Sequence, residues 1–271
     1  MAMISSSAAF EVLIGTIFNH LFNQGHIEAV EIAKIGQYAE VVHFGKPCGL
    51  MDQLASAVGG IILVDLANPD APSVHHIAFD FATCNHRICI VDVGENHENL
   101  THEYTDITTE MRQISQELGA SFLREISYEN LLSKISQLRS QYGDRAILRA
   151  LHFLTENERV IKQANALQKG DFQAFKNLVL ESGHSSFEYL QNIHVSSAIK
   201  QQGISLALSL AQQVLNGTGA WRVHGGGFGG TTQNFVPNEL VPTFVKTMET
   251  VFGNGCCHTL TIRPVGGICI Q

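Results

Sequence analysis

Ala39-Glu40-Val41-Val42-His43-Phe44-Gly45-Lys46-Pro47-Cys48-Gly49-Leu50-Met51-Asp52-Gln53 ends one helix, turns at Gly45-Lys46-Pro47 and starts another. It sets a lone acid, Asp52, among Leu50, Met51, Leu54 and Ala55. An aspartate in such apolar company caps a helix, faces solvent, or works as a base, because burying it idle costs too much. Upstream, His26 to Val42 reads as a helix with Ile27, Val30, Ile35, Tyr38 and Val41 inward and Glu28, Glu31 and Lys34 outward. Glu40 on that helix reads, taken alone, as a solvated residue. Downstream, Gly59-Gly60 stops the short helix, and Ile61-Ile62-Leu63-Val64 is a buried strand before the turn at Asn68-Pro69-Asp70-Ala71-Pro72.

Before this stretch, Ser5-Ser6-Ser7-Ala8-Ala9 opens a helix whose apolar residues, Phe10, Leu13, Ile14, Ile17, Phe18, Leu21 and Phe22, form a stripe at helical spacing. Serines there cap the helix, or lend hydroxyls and free N–H groups to a phosphate at the positive end of the helix dipole. After it comes a strand from Arg87 to Val93, a helical stretch from about 106 to 215, and then strand, loop, strand, helix, strand: 220–223, 225–230, 231–236, 239–252 and 258–263. Five of the six residues Gly225-Gly226-Gly227-Phe228-Gly229-Gly230 are glycine. Such a loop turns a hairpin or lets backbone approach a ligand closely. Irregular alternation of this kind indicates α+β layers, with a cut near residues 68 to 86.

The 271 residues are 45% hydrophobic and 15% charged, with 17 Lys+Arg against 25 Asp+Glu for a net charge of −8. That is a folded composition with no basic run, which excludes nucleic acid and anionic membrane as main partners and favours small molecules. No apolar run reaches the roughly 18 residues of a membrane span. The apolar start lacks a basic n-region and is interrupted by Glu11, so it does not read as an export signal. Cys48, Cys84, Cys89, Cys256, Cys257 and Cys269 lack disulfide or finger spacing, which fits reduced thiols and a cytoplasmic location. Glu95, His97, Glu98, His102, Glu103 and Asp106 crowd one polar loop without zinc spacing. His152 and His224 read as structural, while Arg222 faces either a phosphate or an inter-strand partner.

Taken in order, the serine triplet at a helix start, AEVVHFGKPCGLMDQ and the late GGGFGG resemble the GHMP small-molecule kinases, and among them the galactokinases. His97-Glu98-Asn99-Leu100-Thr101-His102-Glu103-Tyr104, Arg149-Ala150-Leu151-His152 with Glu156-Asn157, and Trp221-Arg222-Val223 extend the likeness along nearly the whole chain. The resemblance implies two domains. Residues 1–80 would be an incomplete amino-terminal, ATP-binding domain (ribosomal S5 domain 2-like), and 81–271 a complete ferredoxin-like α/β domain. It implies ATP and Mg²⁺ as cofactors, and transfer of a phosphoryl group to the anomeric hydroxyl of galactose, giving galactose 1-phosphate. Ile4, Ser5, Ser6, Ser7, Gly226 and Gly227 would bind the nucleotide, and Ser7 and Glu40 the metal. Asp52 would be the base, with Gly49, Asp52 and Tyr104 on the sugar.

The chain departs from the pattern at its start. Met1-Ala2-Met3-Ile4 stands where the family has glycines, and there is no Arg before Arg87 and no motif of the form GRVNLIGEHTDY. A missing amino-terminal segment is therefore expected, with weak ATP binding by this chain. Loss of covering strands would expose apolar surface and favour a homo-oligomer. The alternative expectation is an inactive fragment, or a regulatory or binding relative.

Overall fold

The computed structural model describes residues 6–45, 48–95 and 100–270. Helix α1 (Ser6–Asn23) starts at the serines, and α2 (Ala29–Tyr38) runs on into a π-helical turn (Ala39–His43). Helix α3 (Met51–Val58) follows, and then β1 (Ile62–Asp65) pairs antiparallel with β2 (Ser73–His76). By internal contacts, Met3–Phe79 together with Thr261–Gln271 make one unit and Asp80–Leu260 another.

In the first unit Val12, Ile32, Ala33, Leu50, Leu54 and Ala57 form the core beneath the three helices. Gly59 ends α3 at φ 73°, where a Cβ would lie 2.2 Å from the carbonyl carbon of Val265. The carboxy-terminal residues pack there: Gly60 N–H donates to Arg263 O at 2.8 Å and Gly267 N–H to Ala57 O at 3.3 Å. A division by sequence pattern would leave these residues in the second domain, because the segment carries no periodic signal of its own.

One expected orientation is corrected, that of α2. The stripe Phe10, Leu13, Ile17, Phe18, Leu21 and Phe22 is exposed, up to 79% at Phe22, whereas α1 buries Ala8, Val12, Thr16 and Asn19. Small residues let α1 approach α2 closely; a Cβ on Gly15 would sit 2.9 Å from Ile32 Cγ2. On α2, Ile35, Tyr38 and Val41 face outward while Ile32, Ala33 and Gly36 are buried. The π turn adds a residue to one turn, so that Glu40 points inward instead of outward.

The second unit begins with a 3₁₀ turn and β3 (His86–Asp92), followed by α4 (Thr101–Glu117), α5 (Tyr128–Gln168, broken at Gly143) and α6 (Phe172–Ser185). Helix α7 (Gly203–Leu215), β4 (Ala220–His224), β5 (Thr231–Pro237), α8 (Val241–Phe252) and β6 (Cys257–Leu260) complete it. Its sheet runs β4-β5-β3-β6, antiparallel throughout. Numbered within the unit that is the order 2-3-1-4, the ferredoxin-like arrangement. Leu215, Val236, Phe244 and Met248 pack on one face of this sheet, and Ile114, Leu131, Leu138 and Ile147 form a separate helical core.

Buried charge ties the helices together. Arg149, 1% exposed, donates to Glu110 Oε2 at 2.9 Å and to Leu190 O at 3.2 Å, and Arg145 also pairs with Glu110. Glu156 receives Ser182 Oγ and the Arg159 guanidinium. Arg222 donates to Ser182 Oγ at 2.7 Å, so its partner lies within the protein, and burial lowers its pKa. His152 donates to or accepts from Ser185 Oγ at 2.8 Å, and burial pushes its pKa down to about 4. Both histidines act structurally: His224 meets Thr231 Oγ1 at 3.0 Å. The six cysteines are free thiols. Among the described residues no helix is long and apolar enough to cross a membrane.

Candidate active site

Ser7 lies in the first turn of α1, where N–H groups have no intrahelical acceptor and the dipole is positive. Its hydroxyl is 3.1 Å from Glu40 Oε1, bridging 33 residues of sequence. Glu40 is 4% exposed, and its second oxygen accepts from Gln53 Nε2 at 2.9 Å. Cys48 also hydrogen-bonds Glu40; burial first, then that bond, raises its thiol pKa and keeps it protonated. A carboxylate otherwise too costly to bury is thus met by donors from α1, α3 and the loop between α2 and α3.

Asp52 precedes Gln53 in the first turn of α3 and is exposed, whereas Gln53 is buried on Glu40. Gly49 is exposed in the preceding loop, with no atom of the described residues within 4 Å of the position a Cβ would take. The pair expected to hold a metal, Ser7 and Glu40, is therefore brought together, next to the helix that carries Asp52. One hydroxyl and one carboxylate oxygen suit Mg²⁺, a hard cation that keeps most of its ligands for water and phosphates. Ser6 begins α1, whereas Ile4, Ser5 and Lys46, like His97, Glu98 and Asn99, lie outside the described residues.

In the second unit the glycine loop is held by its neighbours. Tyr104 Oη donates to Gly227 O at 2.9 Å, its ring meets Phe228 edge to face at 5.4 Å, and burial raises its pKa. Asn192 Nδ2 donates to Gly226 O at 3.0 Å, and Asn192 O accepts from Phe228 N–H. A Cβ on Gly226 would lie 2.5 Å from Tyr104 Cε1 and one on Gly227 2.0 Å from Asn192 O, so both glycines are needed by the packing. Phe228 is buried at φ 59°, a left-handed conformation rarely taken by such a residue.

Reasoning from sequence missed Gln53, Glu11 and Asn192. Gln53 donates to Glu11 Oε2 at 3.2 Å as well as to Glu40, and its Oε1 has no partner, which costs on the order of 1–3 kcal/mol in a buried site. The available signal was a polar residue on the same α3 face as Leu54 and Ala57. Nothing local distinguishes Asn192.

The sequence profile described as GHMP kinases N terminal domain matches residues 4–60. The galactokinase of Glaesserella parasuis serovar 5 is 34% identical over 90% of this chain and 60% of its own length. That of Streptomyces coelicolor is 31% identical over 93% of this chain and 62% of its own. The chain thus spans about three-fifths of these relatives. Among solved structures, Lactococcus lactis galactokinase complexed with galactose superposes with a TM-score of 0.75 at 21% identity, covering 98% of this chain and 67% of that one. L. major mevalonate kinase in complex with R-mevalonate gives 0.60 at 17% identity, covering 96% and 66%. By sequence along nine-tenths of its length and by architecture, the chain is a homologue of the galactokinases with the GHMP kinase fold.

Proposed function

We propose that the chain is a galactokinase-type phosphotransferase, moving the γ-phosphoryl group of ATP to the anomeric hydroxyl of galactose in the cytoplasm. The observation that carries this is the 3.1 Å contact of Ser7 Oγ with Glu40 Oε1, beside the helix that presents Asp52. Ser7 and Glu40 would hold Mg²⁺, which when bound neutralises phosphate charge. Ser6 and Ser7, with the free N–H groups of the first turn, would bind phosphate oxygens. Asp52 takes the proton of the sugar hydroxyl as its oxygen bonds to the γ-phosphorus; the bond to the β-phosphate oxygen breaks and ADP leaves. Because Met1-Ala2-Met3-Ile4 supplies no glycine, nucleotide affinity is expected to be weak. Release of ADP that requires both galactose and Mg²⁺ is the expected result of a coupled assay. Folded protein with no sugar-dependent release would instead support the reading as an inactive or regulatory relative.

The exposed face of α1 supports self-association. Phe10, Leu13, Phe18, Leu21 and Phe22 are all more than half exposed, and Glu11 is the only Asp, Glu, Lys or Arg on the helix. Two copies can therefore meet along it without like-charge repulsion. Sedimentation velocity at micromolar concentration should give a dimer or larger species, and the double substitution Phe18→Glu with Leu21→Glu a monomer. A wild-type monomer would rule this out.

A further inference from the structure

Gln53 sits at 1% exposure with its amide nitrogen between two carboxylates, 2.9 Å from Glu40 Oε2 and 3.2 Å from Glu11 Oε2. An amide nitrogen has two N–H donors, one for each carboxylate. The opposite amide orientation would set Oε1 against two anions, so the donor side is fixed by its surroundings. On the other side Oε1 is buried with no hydrogen-bond partner. Packing alone would be served by Met, which has similar volume and no uncompensated carbonyl. The polar group is therefore retained for what its nitrogen does.

A second observation concerns Gly36 in the middle of α2. A Cβ there would lie 3.2 Å from Glu11 Cβ, 3.4 Å from Glu11 Oε2 and 3.5 Å from Gln53 Cγ. Glycine weakens a helix interior relative to alanine, yet α2 has one where Glu11 and Gln53 pass it. Glu11 also stands four residues after Ser7, on the same side of α1. One edge of Glu40 thus meets the Ser7 hydroxyl and the other meets Gln53, which is held in turn by Glu11.

We propose that Gln53, steadied by Glu11, is the positioning residue that aims the Glu40 carboxylate, together with Ser7, at a divalent cation. This rests on the assignment of Ser7 and Glu40 as the metal-holding pair. Groups that orient a ligand from behind typically govern metal affinity by roughly 10–100-fold.

The test titrates the whole chain with Mn²⁺ alone, counting free ion by electron paramagnetic resonance, for wild type, Glu40→Gln, Gln53→Met and the double variant. Glu40→Gln is expected to remove one Mn²⁺ site, and Gln53→Met to weaken that same site roughly 10–100-fold. The double variant should bind no worse than Glu40→Gln. Loss of any further Mn²⁺ site in the double variant would indicate a general structural effect and overturn the positioning role. Wild-type binding by Gln53→Met, with the site lost in Glu40→Gln, overturns the positioning role and leaves the metal pair standing. Wild-type binding by Glu40→Gln overturns the metal pair itself. If thermal denaturation shows Gln53→Met to be unfolded, Glu11→Met on its partly exposed helix position takes its place; a several-fold weakening is expected, and unchanged binding overturns the proposal.

Discussion

Asp52→Asn should reduce sugar-dependent ADP release by about 10²–10⁴-fold, the usual contribution of a positioned general base. The loss should fall on kcat, because the amide keeps the shape of the carboxylate and the phosphate-binding residues stay in place. Stability should change little. Asp52 is exposed in the first turn of α3, where loss of its charge at the helix N-terminus costs about 0.3–1 kcal/mol. An Asp52→Asn variant that turns over within a few-fold of wild type would remove Asp52 from the chemistry.

The largest effect on stability is expected at Gly227. Its φ of 82° is unfavourable for any L side chain, and an added Cβ would stand 2.0 Å from the Asn192 carbonyl oxygen, a backbone atom that cannot swing aside. Gly227→Ala should therefore cost about 3 kcal/mol or more through combined backbone strain and overlap. At roughly 2–4 °C per kcal/mol, the second unit should melt about 6–12 °C lower. Gly225→Ala is the control. Its φ of 70° is similar but no atom of the described residues lies within 4 Å of the Cβ position, so the conformational cost of about 1–2 kcal/mol is the expected one. Equal shifts for the two variants in calorimetry would show that the contacts of Asn192 and Tyr104 do not fix this loop.

In the second unit the strands were legible from their patterning, whereas its four helices α4 to α7 read as one stretch from about 106 to 215. Strands at 220–223 and 231–236 around a glycine loop correspond to β4 and β5 within a residue. Less was legible in the first unit, where facing depends on distant partners. Periodicity shows that α1 has an apolar face, but the buried side is chosen by how closely helices approach, and Ala8, Gly15 and Thr16 allow the nearer packing. Glu40 is mis-phased by local pattern because the π turn breaks the 3.6-residue repeat. Its donors Ser7 and Gln53 lie 33 and 13 residues away, beyond any local window. The resemblance carried Ser7 and Glu40 to the same place, whereas Gln53 and Glu11 emerged only from three helices seen together.

If Asp52 directs phosphoryl transfer to the anomeric oxygen of galactose, the identity of the product reveals it. Protein incubated with galactose and Mg·ATP should give a ³¹P resonance of galactose 1-phosphate, coupled to the anomeric proton and rising as ADP forms. The same incubation with Asp52→Asn should leave galactose unphosphorylated over that time. ATP consumed without a sugar phosphate, phosphate on another hydroxyl, or equal product from Asp52→Asn would contradict the account.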